Sequence, residues 1–186
     1  MQGPEVRAGE ILARVGQVAI GAEIGVFTGS LSALLLRALP ALTLFMVDDW
    51  APADARPQAY KDCGDWHAQL PQSRQESYCR AAIAAVKFAG PRAQICRMQS
   101  LAAACTFDAG TLDFVFIDAD HSYEGCKADI RAWAPLVRLG GVLCGHDYDH
   151  PLKTGFGVKR AVDEAVAANG WRLELGADMT WFVRIA

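Results

Sequence analysis

Residues 19–30 read AIGAEIGVFTGS, and we expect the fold of the chain to be built around this stretch. Residues 19–24 are apolar apart from one carboxylate, Glu23, which is typical of a buried strand. Gly25 and Gly29 follow, and a leucine-rich segment with helical composition comes next. A strand, a glycine turn and a helix in this order present backbone N–H groups and the positive end of a helix to a ligand, as in α/β proteins.

The spacing of this turn favours a zwitterionic ligand over a dinucleotide. A dinucleotide site has the pattern G-x-G-x-x-G, whereas Phe27 stands here at the position of the middle glycine. An acid just ahead of the turn could attract an ammonium group and would repel a pyrophosphate. We therefore expect S-adenosylmethionine (SAM), bound by Glu23, Gly25, Phe27, Thr28, Gly29 and Ser30. The alternative is an ordinary turn with a chance carboxylate.

The composition describes one globular domain that spans residues 1–186. The chain is 52% hydrophobic and 21% charged, which suits a single domain with a full core. A net charge of −3 gives no electrostatic footprint for a nucleic acid. The six cysteines form no C-x-x-C pair, which favours reduced thiols and a cytoplasmic location. No apolar run is long enough for a membrane span, so we expect none.

Strands and helices alternate along the rest of the chain. The expected strands are residues 19–24, 43–47, 93–98, 113–117, 142–145, 171–175 and 180–185. The expected helices are residues 5–18, 30–39, 73–88, 101–105, 123–133 and 158–168, with Ser30 and Ser122 as N-caps. Because a short link joins the last two strands, they must pair antiparallel.

Residues 50–72 interrupt this alternation and predict a long irregular insertion or lid. The segment contains three prolines and four ring-bearing side chains, Trp50, Tyr60, Trp66 and His67. Long loops in compact domains often bind ligands, so these side chains could line a substrate pocket. They could equally pin the loop to the body of the domain.

Polar residues follow the second and third strands at positions that suit a nucleoside. Asp48 comes directly after the second strand, and its carboxylate could accept hydrogen bonds from both hydroxyls of a ribose. We prefer it to Asp49, which lies one position further on. Gln99 or Ser100, after the third strand, could flank an adenine. The alternative for Asp48 is a solvated acid that caps a loop.

A second polar cluster follows the fourth and fifth strands. Asp118, Asp120 and His121 come after one strand, and His146 and Asp147 after the other. Neighbouring parallel strands end at the same edge of a sheet, so these side chains are expected to meet in one cleft. Asp118 and Asp147 would suit Mg²⁺, and His146 would shift the preference toward Mn²⁺, Fe²⁺ or Zn²⁺. His121 or Asp120 could accept a proton. Solvated side chains are the alternative.

Four stretches of the chain resemble class I SAM-dependent methyltransferases: GAEIGVFTGS, VDDW, FIDADHSYEGCKADIRAWAPLVRLGGVLCGHDY and GVKRAVDEA. The resemblance is closer to small-molecule O-methyltransferases of the macrocin type than to catechol and caffeoyl-CoA O-methyltransferases. It implies an α/β fold, a Rossmann-like three-layer sandwich with a mostly parallel seven-stranded sheet whose last strand is antiparallel. It also implies methyl transfer from SAM to a hydroxyl of a small molecule, sugar-bearing or of another kind.

The resemblance also implies roles for single residues. Glu23, Gly25 and Gly29 match the motif that cradles the methionine part of SAM. Asp48 matches the ribose-binding acid. Asp118 matches the metal-binding acid after the fourth strand.

Two departures from the family pattern leave parts of the mechanism open. His146 and Asp147 fall where such enzymes have an Asp-Asp or Asp-Asn pair, so both metal use and metal identity are open. Asp120 and His121 fall at the position of a candidate base, and a metal-independent enzyme with His121 as base is the alternative. The cap is short, so residues 50–72 or a neighbouring subunit of a homo-oligomer must supply most of the substrate pocket.

Two other classes of function remain as alternatives. A nicotinamide dehydrogenase is disfavoured by the missing G-x-G-x-x-G pattern and by the closing hairpin. A protein of the same fold that binds SAM without catalysis is compatible with His146 and with the short cap.

Overall fold

A computed structural model describes residues 3–16 and 20–186 of the chain, which form seven α-helices and seven strands. The helices are α1 (Pro4–Val15), α2 (Ser30–Ala38), α3 (Gln58–Asp62), α4 (Gln72–Val86), α5 (Ser100–Ala104), α6 (Tyr123–Trp133) and α7 (Val158–Asn169). The strands are β1 (Ile20–Ile24), β2 (Thr43–Val47), β3 (Ala93–Cys96), β4 (Leu112–Ile117), β5 (Val137–Gly145), β6 (Leu173–Leu175) and β7 (Trp181–Arg184). None of these described helices combines the length and the apolar character needed to cross a membrane.

The strands form one sheet in the order β3-β2-β1-β4-β5-β7-β6. The first five strands of this order pair in parallel, and β7 pairs antiparallel with both of its neighbours. The order reverses between β1 and β4, and such a switch point is where open α/β sheets bind ligands beyond the carboxyl ends of their strands. The predicted fold class, with its closing antiparallel hairpin, is confirmed.

Helices cover both faces of the sheet and make three layers. Along β4 the side chains alternate between the faces, as the period of two in a strand requires. Phe114 and Phe116 pack with apolar residues of α1, α2 and α4. Val115 and Ile117 pack with those of α5, α6 and α7. The two apolar cores therefore hold the carboxyl ends of the central strands in fixed positions.

The boundaries of three predicted elements need correction. We expected the fifth strand to begin after a glycine turn, but β5 begins at Val137 and runs through both glycines. The pairing of β5 with β4 shifts register there, and Gly140 has a φ of 75°, which suits an irregular stretch within a strand. Ser30 is the first residue of α2, and Gly29 occupies the N-cap position. The third strand ends at Cys96 instead of residue 98.

Part of the expected first helix and first strand falls outside the described residues. The expectation of a helix at 5–18 is met by α1 up to Val15, and residues 17 and 18 lie in the part that is not described. The same holds for residue 19 of the expected strand. Ser122 caps α6 as expected, because its hydroxyl accepts the N–H of Gly125 at 3.1 Å.

The insertion at residues 50–72 is more ordered than its sequence indicated. It contains α3 and two short 3₁₀ helices, Ala53–Ala55 and Trp66–Gln69. Trp50 is buried, and its indole N–H donates to the carbonyl of Phe27 at 2.9 Å. This aromatic residue therefore pins the insertion to the glycine turn.

We expect Gly25→Ala to lower the free energy of unfolding by about 2–4 kcal/mol. Gly25 has a φ of 89°, and a methyl group there would lie 2.0 Å from the carbonyl oxygen of Asp118. Urea unfolding measures the effect. Gly9→Ala is the control, because its methyl group meets nothing within 4 Å and should add about 0.5–1 kcal/mol to helix α1. Equal stabilities for both variants would contradict the close approach at Gly25.

Candidate active site

Hydrogen bonds continue the sheet beyond the ends of its central strands. The N–H of Gly25 donates to Val47 of β2 at 2.9 Å. The N–H of Asp118 donates to Ile24 of β1 at 2.7 Å, and that of His146 to the last residue of β4 at 3.1 Å. The residues that follow β1, β4 and β5 are therefore held side by side at one edge of the sheet.

A cavity of about 300 Å³ opens at this edge. Its size is at the lower end of the range for small-molecule sites. The predicted site residues that line it are Gly25, Phe27, Asp48, Gln99, Ser100, Asp118, Asp120 and His121. The remaining predicted residues, Glu23, Thr28, Gly29, Ser30, His146 and Asp147, are not part of its lining. The insertion contributes Arg56, Pro57, Tyr60 and His67 to the wall.

Glu23 lies inside the protein instead of at the cavity. It is 2% exposed, and the hydroxyl of Ser32 donates a hydrogen bond to its carboxyl group. Burial raises the pKa of Glu23 to about 8, so the group is mostly protonated at neutral pH. The carboxyl that was expected to accept an ammonium group therefore bonds to α2 in this arrangement.

Asp48 holds the glycine turn in place. One carboxylate oxygen accepts the N–H groups of Val26 and Phe27, each at 3.0 Å. The other oxygen accepts the N–H of Trp50 at 2.8 Å. Burial raises the pKa of Asp48. A carboxylate oxygen has two lone pairs, so the group can also accept from a ligand hydroxyl in the cavity. The neighbouring Asp49 pairs with Arg56 at 2.9 Å.

Four of the five polar residues after β4 and β5 contact one another, whereas Asp120 lines the same cavity without joining these contacts. Nε2 of His121 lies 3.1 Å from Oδ1 of Asp118 and 2.9 Å from Oδ2 of Asp147. Nδ1 of His146 lies 3.1 Å from the same Asp147 oxygen. Asp120 instead accepts the N–H of Ser122 at 2.8 Å, in the turn before α6. Its carboxylate thus shapes the turn that carries His121.

Within the described part of the chain, one set of side chains is arranged to hold a cation. Ligand atoms of Asp118, His121 and Asp147 all lie within 4.8 Å of one another. Two of these residues are predicted metal ligands, and the third is the predicted base. His146, the other predicted ligand, is not a member of this set, although its Nδ1 lies 3.8 Å from Oδ1 of Asp118. Both imidazoles therefore face the same two carboxylate oxygens, and His121 lies closer to them.

Two residues of this site, Arg7 and Asp178, carried no signal in the sequence. Arg7 of α1 donates from a terminal nitrogen to Oδ2 of Asp118 at 2.9 Å. Its Nε lies 3.2 Å from Oδ2 of Asp178, which belongs to the turn between β6 and β7. Nε2 of His146 lies 3.6 Å from the same oxygen. Only the packing of α1 and of the hairpin against the sheet edge brings these groups together.

Asp65, within the insertion, is the third residue that the sequence did not indicate. It is 2% exposed, and its Oδ2 lies 2.6 Å from Nδ1 of His121. Its Oδ1 lies 2.8 Å from Nδ1 of His67 and accepts the backbone N–H of that residue at 3.0 Å. The insertion therefore contacts the polar cluster directly.

The surrounding carboxylates favour the charged form of the His121 imidazole. Burial lowers the pKa of its imidazole, but hydrogen bonds with Asp118, Asp147 and Asp65 outweigh burial and raise this pKa well above the usual value. Burial likewise opposes ionisation of Asp118 and Asp147, and the contacts with the histidines still hold the pKa of both below its usual value. The cluster is thus a network of paired charges.

The fold and the site define the chain as a methyltransferase of the Rossmann-like, SAM-dependent class. The sequence model of a family described as a methyltransferase domain matches residues 22–148, which is more than half of the chain. The chain therefore belongs to this methyltransferase family, and the predicted resemblance is confirmed. No curated protein matches the sequence.

Solved structures of O-methyltransferases have a similar fold. TomG from Streptomyces achromogenes, solved with SAM and involved in tomaymycin synthesis, shares 21% identity, with a TM-score of 0.63 over 100% of this chain and 82% of that protein. The O-methyltransferase NovP shares 17% identity, with a TM-score of 0.68 over 97% of this chain and 79% of NovP. A putative caffeoyl-CoA O-methyltransferase from Staphylococcus aureus shares 14% identity, with a TM-score of 0.66 over 100% and 84%. At these low identities, the similarity to the three structures shows a common fold only.

We expect Glu23→Gln to become more stable than the unsubstituted protein as the pH rises from 5 to 8.5. The pKa of Glu23 is raised from 4.5 to about 8, so the unfolded chain ionises this group first. The contribution of Glu23 to the free energy of unfolding is therefore fully present below pH 4.5 and is lost as the pH rises toward 8. A glutamine carries no such loss, and the gain at pH 8.5 should be on the order of 2–4 kcal/mol.

Urea unfolding at several pH values measures this difference. Glu5→Gln is the control, because Glu5 is exposed in the first turn of α1 and its substitution should change stability little at any pH. Parallel stability profiles for Glu23→Gln and the unsubstituted protein would contradict a buried, mostly neutral Glu23.

Proposed function

We propose that the chain is an O-methyltransferase that transfers the methyl group of SAM to a hydroxyl of a small molecule. The observation that carries this proposal is the position of the polar cluster. Asp118 and His121 line the cavity, and His121 also contacts Asp147, so the cluster lies beside the place where the cofactor would bind. SAM would occupy the cavity with its ribose near Asp48 and its adenine near Ser100.

The chemistry of the cluster suits a hydroxyl acceptor. An oxygen that attacks a methyl group must lose its proton, so the site needs either a base or a cation that lowers the pKa of the hydroxyl. His121 is the predicted base at the cavity, and it could accept a proton only in its neutral form, against the raised pKa that its carboxylate partners give it. The donor set also fits a divalent cation, because carboxylate oxygens and an imidazole nitrogen converge there. Asp118 and Asp147 would hold such a cation together with a histidine.

The acceptor is proposed to be a small hydroxylated molecule, either sugar-bearing or another metabolite. Tyr60 and His67 of the insertion line the cavity, so the segment can contact the cofactor or the acceptor. The net charge of −3 supports a small molecule over a nucleic acid. The involvement of TomG in tomaymycin synthesis is in keeping with a small-molecule acceptor. A cytoplasmic location and a homo-oligomer stay predictions.

We expect Asp48→Asn to weaken the binding of S-adenosylhomocysteine by about 1–3 kcal/mol, or roughly 5- to 150-fold. An amide in place of the carboxylate loses an acceptor for the turn N–H groups or for the ribose. Calorimetric titration measures the affinity. Asp108→Asn is the control, because Asp108 is exposed and does not line the cavity, and it should bind within about threefold of the unsubstituted protein. An unchanged affinity for Asp48→Asn would remove this residue from the cofactor site.

Removal of divalent cations with EDTA should abolish methyl transfer and leave S-adenosylhomocysteine bound. Asp147→Asn should do the same, because it removes one carboxylate from the cluster. Asp149→Asn is its matched control. Asp149 is exposed, and its φ of 56° is close to the φ of 59° at Asp147, so both substitutions are made in the same backbone conformation. Turnover with alcohols, phenols and sugars as acceptors measures the effect.

Each other outcome of this experiment has a defined meaning. Full activity after chelation would favour a metal-free mechanism with His121 as base. Bound cofactor without transfer to any acceptor would favour a ligand-binding protein that keeps the methyltransferase fold.

A further inference from the structure

The Nε2 atom of His121 faces two carboxylates of the polar cluster. Its Nε2 lies 3.1 Å from Oδ1 of Asp118 and 2.9 Å from Oδ2 of Asp147. In the described part of the chain, these three side chains form the convergent set, which means that their possible ligand atoms all lie within 4.8 Å of one another. Two carboxylates and one imidazole with close ligand atoms are a donor set that transition metals accept.

The other ring nitrogen of His121 is anchored by Asp65. Oδ2 of Asp65 lies 2.6 Å from Nδ1, and both residues are buried. The ring also stacks on Phe156, with a centroid distance of 4.6 Å and an interplanar angle of 5°. A histidine that binds a metal nearly always donates its second N–H to a carboxylate or carbonyl, which fixes the tautomer and the ring orientation. The contact with Asp65 therefore leaves Nε2 as the nitrogen for a ligand.

His146 lacks this support. Its Nε2 is buried and has no hydrogen-bond partner among the described residues, and the nearest carboxylate, Asp178, is 3.6 Å away. It also lies outside the convergent set. Of the two imidazoles, His121 is thus the one whose second ring nitrogen is held by a carboxylate while Nε2 faces Asp118 and Asp147.

Arg7 orients one of these carboxylates. Its guanidinium donates a hydrogen bond to Oδ2 of Asp118 at 2.9 Å, and the other oxygen, Oδ1, faces His121. A carboxylate with one oxygen held by a cationic side chain presents the other oxygen in a defined direction. Arg7 is therefore a positioning residue for the same centre.

The geometry points to a metal centre formed by Asp118, His121 and Asp147, with Asp65 of the insertion as the carboxylate that orients His121. This inference rests on the proposed function, since it assigns the cation of that site. An imidazole ligand favours Mn²⁺, Fe²⁺ or Zn²⁺ over Mg²⁺, which prefers oxygen ligands. The site is accordingly a transition-metal site, and His121 acts in it as a ligand.

Pulsed electron paramagnetic resonance with Mn²⁺ tests the ligand set directly. The unsubstituted protein should bind Mn²⁺ more tightly than Mg²⁺ and show coupling to a directly bound imidazole nitrogen. His121→Gln should lose this coupling, and His146→Gln should keep it. Coupling that persists in His121→Gln and disappears in His146→Gln would overturn the inference, as would Mn²⁺ bound without nitrogen coupling.

The role of Asp65 is tested by Mn²⁺ affinity in a matched pair of variants. Asp65→Asn should weaken Mn²⁺ binding about 10- to 100-fold, as loss of an orienting partner does at other metal sites. Asp62→Asn should not change it, because Asp62 is exposed in the same segment. S-adenosylhomocysteine titrations of both variants report whether the fold is intact. Equal Mn²⁺ affinities in the two variants would overturn the role of Asp65.

Failure of this inference is distinguishable from failure of the proposed function. If no Mn²⁺ binds while S-adenosylhomocysteine binds and methyl transfer proceeds in EDTA, the metal centre is wrong and the methyltransferase stands. If S-adenosylhomocysteine does not bind, the proposed function fails whatever the spectra show.

Discussion

The contact between the ends of β1 and β4 is the constraint on which the site depends. The N–H of Asp118 donates to the last residue of β1 at 2.7 Å, and Gly25 lies against the carbonyl of Asp118 with no space for a side chain. The glycine turn follows β1, and Asp118 and His121 of the polar cluster follow β4. Because the two strand ends touch, the cavity and the cluster share a wall. The reversal of strand order at this point leaves room for a ligand beyond them.

Charge pairing explains how so many ionisable groups can lie together at one sheet edge. The carboxylates are Asp65, Asp118, Asp147 and Asp178, and the groups that face them are Arg7, His67, His121, His146 and His150. A buried charge without a partner costs several kcal/mol, whereas a hydrogen-bonded pair offsets much of that cost. Every carboxylate of this group therefore faces at least one side chain that can carry a positive charge.

The sequence predicted the fold because its signals were local. Apolar runs, glycine turns and caps define elements within a few residues, and the topology follows from their alternation. The meeting of Asp118 and Asp147 was predictable as well, because neighbouring parallel strands end at one edge. The contributions of Arg7 and Asp65 were not, since they depend on how α1 and the insertion pack against that edge. The hydrogen bond from Ser32 to Glu23 was not predictable, because a strand pattern alone does not show what its polar residue faces.

The insertion connects the cavity and the polar cluster, which the sequence analysis considered separately. Its residues Arg56 and Tyr60 wall the cavity, and Asp65 in the same segment holds the ring of His121. Trp50 ties the start of this segment to the glycine turn. One segment therefore shapes the cavity and also fixes the ring of a side chain in the polar cluster, because it supplies residues to both places.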